Sequence, residues 1–312
     1  MTQRTAKDYI VLILKGMGMG AADVVPGVSG GTIAFITGIY EELINSIKSI
    51  NLSAIKLLFS GKIKEFWTAI NGTFLLCVFL GIGISVFSLA KGLEFLLTHY
   101  PILVWSFFFG LIVASAIYVA RSIKNWSFGT ILAGIIGIVV AYGITILSPA
   151  EANTGYLFVF ISGMIAICAM ILPGISGSFI LVLLGMYKFI LGAVGDMNLA
   201  VILTFLVGAA IGIIAFSNVL SWLLRKFHSF TIAVLAGFMV GSLNKVWPWK
   251  EVTETIIDRH GELKPIAERN ILPGSYEQLT GHHAWLLGAI ALAIVGFVLI
   301  FAIEGIGKRF KK

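Results

Sequence analysis

Two short stretches hold the residues whose types and spacing could do chemistry. They are Pro26, Gly27, Ser29, Gly30, Gly31 and Thr32 in PGVSGGT, and Pro173, Gly174, Ser176, Gly177 and Ser178 in PGISGS, 147 positions further on. Gly38 and Tyr40 after the first stretch are matched at the same separation by Gly185 and Tyr187 after the second. A loop of this kind offers unpaired backbone N–H groups, glycines that let a ligand approach the main chain, and hydroxyl donors. It also opens a helix, whose first turn attracts negative charge. The ligand suited to such donors is an oxyanion such as phosphate. A purely structural reading stays open, in which Pro and Gly form tight turns and Ser and Thr cap the following helices. Capping alone, however, does not require both copies to be polar.

Four charged residues flank the first stretch and are candidates for coupling or charge balance: Asp23, Lys15, Glu41 and Glu42. Asp23 lies three residues before Pro26 in apolar sequence. An ionisable group at membrane depth is a functional candidate, but Asp23 also suits a cap on the next helix or a pair with Lys15. Lys15 is placed to neutralise either Asp23 or a bound anion. Glu41 and Glu42 fit a proton relay and a solvated helix face equally well. Lys188 takes the position of Glu41 in the second copy and is expected to snorkel outward.

The elements that must position these residues follow from composition. A chain of 312 residues with 58% hydrophobic and 12% charged residues and a mean hydropathy of +1.00 is an all-α polytopic membrane protein. The net charge of +7 does not point to nucleic acid, because the basic residues sit at the ends of apolar runs as topology signals. Cys77 and Cys168 lie in apolar runs, and the histidines at 99, 228, 260, 282 and 283 lack metal-ligand spacing. No metal site or cofactor is expected, and no nucleotide-binding loop is present. Arg4 and Lys7 precede only six apolar residues before Lys15, too few for a signal-peptide core, so the N-terminus is expected to be retained.

Six apolar runs are long enough to span a bilayer, which takes about 20 residues: 72–95, 102–120, 128–147, 199–224, 230–246 and 285–303. The segments around the two motifs, such as 9–24 and 33–47, are shorter and broken by Pro-Gly. Each motif therefore reads as the tip of a re-entrant helical hairpin, 9–47 and 156–192. Charge bias fits this arrangement with both termini cytoplasmic. Fourteen of the 22 Lys and Arg residues fall on the cytoplasmic flanks, while the outer loop 249–283 has four basic and six acidic residues. The seven Trp residues lie near span ends.

The chain thus divides into 1–148 and 149–312, each a hairpin plus three spans, with the first hairpin opening inward and the second outward. Gly81 and Gly110 match Gly208 and Gly237 at a separation of 127. The 20-residue difference in separation marks an insertion at 47–66, expected as amphipathic helix on the cytoplasmic face. Inverted repeats with broken helices are a transporter signature.

ADVVPGVSGGT…GIYEEL and LPGISGS…LLGMYK resemble the paired elements of the bacterial polyprenyl-phosphate transporter family, formerly a membrane family of unknown function. The resemblance covers nearly the whole chain. It implies a flippase in the bacterial cytoplasmic membrane that returns undecaprenyl phosphate from the outer to the inner leaflet for cell-envelope synthesis, without catalysis. Its partners would be membrane lipid and the polyprenyl phosphate itself, while Asp23, Glu41 and Glu42 leave coupling to a proton or other ion open and simple facilitated exchange is equally compatible. The second motif departs from the first, with Met170 opposite Asp23, Ser178 opposite Gly31 and Phe179 opposite Thr32. An ionisable role of Asp23 is therefore not duplicated. Two alternatives stay open: an ion-coupled transporter or channel for a small anion, and a polyprenyl diphosphate phosphatase. The second lacks an arginine in either loop to stabilise a transferring phosphoryl group.

Overall fold

The computed structural model describes residues 4–25, 28–257 and 263–310, so Pro26 and Gly27 of the first motif lie outside the described residues. The chain opens with α1 (Ala6–Val24), fixed at its start by a capping box between Thr5 and Asp8. It breaks before Pro26, as the proline requires. Next come α2 (Gly30–Ile36) and α3 (Tyr40–Lys48), then α4 (Leu52–Phe59) and α5 (Ile63–Ala69), and three long helices: α6 (Gly72–His99), α7 (Pro101–Arg121) and α8 (Phe128–Ile146). The second half brings α9 (Tyr156–Ile171), α10 (Gly177–Leu183), α11 (Tyr187–Gly195), α12 (Leu199–Lys226) and α13 (His228–Ser242). An antiparallel pair, β1 (Lys250–Ile257) and β2 (Leu263–Asn270), precedes α14 (Pro273–Thr280) and α15 (Leu286–Phe310).

Element boundaries recur between the halves. α2 and α3 start and end 147 positions before α10 and α11, while α6 starts and ends 127 positions before α12. α4 and α5 occupy the insertion, and Leu52, Phe59 and Ile63 expose their apolar side chains there. The two halves interlock. α1 packs along α6 and α9 along α12, but α7 packs on α15 of the other half, and α8 on α13. The matched glycines explain themselves in these crossings. A Cβ on Gly81 would lie 2.1 Å from the Ile13 carbonyl oxygen, and one on Gly208 would lie 2.1 Å from that of Phe160. Ile13 and Phe160 are themselves 147 positions apart. Small residues let helix backbones touch in a membrane, where the apolar solvent supplies little drive for association.

Four helices among the described residues are long and apolar enough to cross a membrane: α6, α7, α8 and α12. The chain is a multi-pass membrane protein. The run 230–246 gives α13, an apolar helix shorter than those four. α13 has only 15 residues, about 22 Å at 1.5 Å per residue. Beyond Ser242 the chain turns tightly, with the Lys245 N–H bonded to the Ser242 carbonyl, and Asn244 is tied to Thr145 and Asn270. From Leu286 onward the run 285–303 lies within α15. The outgoing arm of each motif, expected as one short helix, is two. Gly38 (φ 71°) separates α2 from α3 and Gly185 (φ 69°) separates α10 from α11, and α10 and α11 meet at 109°. Left-handed backbone is easy for glycine and ends a helix. The described parts of the loop 249–283 are folded into β1, β2 and α14, and Trp249 is buried with its indole N–H on the Ala284 carbonyl.

Candidate functional site

The two motifs meet. α1 ends beside the chain that leaves α9, and residues of both motifs take part in the links between them. The Ser29 hydroxyl donates toward the carbonyls of Leu172 (3.0 Å) and Met170 (3.1 Å). The Gly174 N–H donates to Thr32 Oγ1 (3.1 Å), and the Tyr40 hydroxyl donates to the Ile171 carbonyl (3.2 Å). Gly31 lies against the same carbonyl, since a Cβ there would sit 2.3 Å from the Ile171 oxygen. Gly174 itself has φ 86° and is pressed onto α13 at Phe238 and Met239, a position only glycine fills without strain.

Within the first motif the backbone N–H groups of Gly30 and Gly31 are spent internally. Asp23 accepts from the Gly30 N–H (2.7 Å), and Ser29 Oγ accepts from the Gly31 N–H (3.1 Å). Asp23 thus caps α2, one of the alternatives its sequence position allowed. Gly30 has no side chain for a steric reason: a Cβ would lie 2.4 Å from the Asp23 carboxylate. Ser29 and Thr32 are fully buried. Lys15 donates to the Thr37 carbonyl (2.7 Å), at the end of α2.

The second motif is arranged differently. No side chain caps α10. The Ser176 and Ser178 hydroxyls bond each other (2.8 Å), and Ser178 is half-buried. Pro173, Gly174, Ser176 and Gly177 are buried.

Glu41 and Glu42 are engaged away from the loops. Glu42 takes a bidentate pair from Arg4 (2.6 and 2.7 Å) and a bond from Asn71, and Arg4 also stacks over Phe74. Glu41 faces His228 at 3.3 Å. Beside it, Asn45 accepts from the Ser221 hydroxyl (2.9 Å), to which Lys48 also donates (3.4 Å). α3 is therefore fastened along α12. Its counterpart α11 makes no comparable contact with α6 among the described residues. Lys188 is exposed, as expected.

One charged group escaped the sequence reading. Lys245 and Lys250 converge on Glu268 at 3.7 and 3.2 Å. Lys245 also covers the Phe179 ring at 4.7 Å, and Lys250 the Trp105 ring at 4.5 Å. Burial pushes the Lys250 ammonium down to about 8 against the pull of Glu268. Burial also works to raise the Glu268 carboxyl, but the ammonium groups of Lys250 and Lys245 outweigh it and hold the carboxyl below its ordinary value. The three charges lie within one stretch of chain and are gathered by the pairing of β1 with β2, while the rings they cover, Trp105 and Phe179, come from distant helices.

Residues 19–264 match the family described as undecaprenyl phosphate translocase-like. A protein of Vibrio cholerae named polyprenyl-phosphate transporter is 48% identical over 297 residues, covering 95% of this chain and 96% of its own. A Staphylococcus aureus protein of the same name is 35% identical over 255 residues, covering 76% of this chain and 85% of its own. No solved structure matches the chain.

Proposed function

The chain belongs to the undecaprenyl phosphate translocase-like family, and from that premise we propose that it transports polyprenyl phosphate as a flippase, without catalysis. The phosphate head group binds between the two motif loops while the polyprenyl tail stays in lipid. The observation that carries this reading is the direct meeting of two polar loops 147 positions apart. Its donors are of the kind a phosphate would recruit: the Ser29 hydroxyl, the Gly174 N–H, and the Ser176 and Ser178 hydroxyls. In the bound state the head group takes over contacts that Ser29 and Thr32 now make to the opposite loop. Pro26, Gly27, Gly30, Gly31, Pro173 and Gly177 shape the backbone around it. Asp23, Lys15, Glu41 and Glu42 remain the groups through which a proton or other ion would couple.

The two halves are inverted repeats of a re-entrant hairpin plus three spans, lying in a bacterial cytoplasmic membrane with both termini inside and 249–283 outside. Supporting this, the start of α6 adjoins Arg4, Glu42 and α3. α3 in turn fastens to the end, not the start, of α12, at Ser221. Transport is a rocking of one half against the other. The present conformation has α3 closed on α12, and its opposite would release that contact.

The test is a disulfide across Asn45→Cys and Ser221→Cys, with Cys77 and Cys168 replaced by alanine. The protein is reconstituted in liposomes with a fluorescent polyprenyl phosphate. Oxidation should arrest movement between leaflets and reduction should restore it. Full flipping by the cross-linked protein would refute the rocking mechanism, and failure of the unlinked protein to flip this lipid would refute the function.

A further inference from the structure

The Lys245, Lys250 and Glu268 cluster stands on the face that carries β1, β2 and the start of α7, where Ile102, Trp249, Ala284 and Ala289 form a small core of their own. Two ammonium groups share one carboxylate there, so the cluster carries a net positive charge. The two lysines are not equivalent. Lys250 is 9% exposed, makes the shorter contact with Glu268 and donates to the Lys245 carbonyl (2.8 Å). It is committed to holding the chain that follows α13 against Trp105. Lys245 is 26% exposed and makes only the 3.7 Å contact with the carboxylate. Its ammonium lies over Phe179, the residue next to Ser178 on α10.

The cluster therefore brings a partly accessible cation to α10, over the ring of the residue that follows Ser178, whose hydroxyl bonds that of Ser176. In the first half the position 127 residues earlier is Tyr118, and the position matching Phe179 is Thr32, so this cation has no repeat counterpart. An ammonium over an aromatic face keeps its donors for a stronger acceptor, and a phosphate monoester bears more charge than a carboxylate.

We propose that Lys245 is a head-group binding residue: it takes the phosphate of a long-chain lipid phosphate in exchange for Glu268, on the face bearing β1 and β2, and passes it to the Ser176–Ser178 loop. This rests on the transport reading above and adds to it a one-sided docking site. Glu268 is the internal stand-in that keeps the cation paired while no lipid is bound.

Full-length protein in nanodiscs is titrated with polyprenyl phosphate, with the uncharged polyprenol, and with inorganic phosphate, for wild type, Lys245→Gln, Lys245→Arg and Glu268→Gln. Thermal unfolding is checked for each variant. Lys245→Gln should weaken polyprenyl phosphate binding by roughly ten- to a hundredfold, the weight of one charge-assisted hydrogen bond, and leave polyprenol unchanged. Lys245→Arg should restore most of the affinity, and Glu268→Gln should tighten it. A purely structural lysine would lower both ligands together, so the phosphate-to-alcohol ratio decides the role. Wild-type discrimination in Lys245→Gln would overturn this inference and leave the transport reading standing. Inorganic phosphate bound as tightly as the lipid, with the same dependence on Lys245, would overturn the lipid assignment of the site. Absence of polyprenyl phosphate binding in the wild type would overturn the transport reading itself.

Discussion

Gly31→Ala should pull the two motif loops apart. The added Cβ would sit 2.3 Å from the Ile171 carbonyl oxygen, whereas ordinary contact begins near 3.4 Å. The obstacle is backbone on both sides, so no side chain can rotate away, and the loops must separate by about 1 Å in an interior packed to crystal density. That separation stretches three links at once: Ser29 to Leu172, Tyr40 to Ile171, and Gly174 to Thr32. At a net value of about 1 kcal/mol for each hydrogen bond, the variant should lose about 2–4 kcal/mol of stability. The comparison is Gly83→Ala in α6, where a Cβ meets nothing within 4 Å. That change should be neutral or gain up to about 1 kcal/mol from helix propensity. Reversible unfolding of both variants in the same micelles measures the difference. Gly31→Ala unfolding together with Gly83→Ala and wild type would refute the claim that the loops are in load-sharing contact.

Met197 holds a left-handed backbone (φ 53°) with its side chain 70% exposed. Met197→Gly should therefore relieve about 1 kcal/mol of strain, seen as a higher unfolding midpoint. For Lys250 the sign follows from burial. Its folded value of about 8 lies below its ordinary 10.5, so below about pH 8 both folded and unfolded states hold the proton. Between about 8 and 10.5 only the unfolded state does, and stability should rise with pH across that window. The difference between wild type and Lys250→Met in unfolding measurements from pH 7 to 10.5 isolates the contribution. A flat difference would contradict a buried, charge-penalised lysine.

Much of this protein is legible in its sequence because the bilayer restricts what a chain can do. Apolar length places α6, α7, α8 and α12, since backbone polar groups in lipid must be satisfied within the segment. Pro26 and Pro173 fix the breaks after α1 and α9 because proline cannot continue a helix. The recurrence of Gly81 with Gly208 and Gly110 with Gly237 also carried structural meaning. A Cβ on Gly110 would lie 1.9 Å from the Ala293 carbonyl oxygen, and one on Gly237 would lie 2.2 Å from that of Gly134. What periodicity cannot convey is how donors are shared. Ser29 and Ser176 look alike in sequence, yet Ser29 is locked to the opposite loop while Ser176 pairs with Ser178. In sequence Asp23 suits an intramembrane acid, a helix cap or a partner of Lys15, and the structure has it accepting from the Gly30 N–H at the start of α2. Glu41 and Glu42 look like a pair, and they are held by different partners, His228 on one side and Arg4 with Asn71 on the other. The cross-half packing of α7 on α15 and the seating of Lys245 over Phe179 and of Lys250 over Trp105 depend on contacts between segments far apart in the chain. Such contacts are chosen by shape and desolvation in three dimensions, and local sequence carries no term for either.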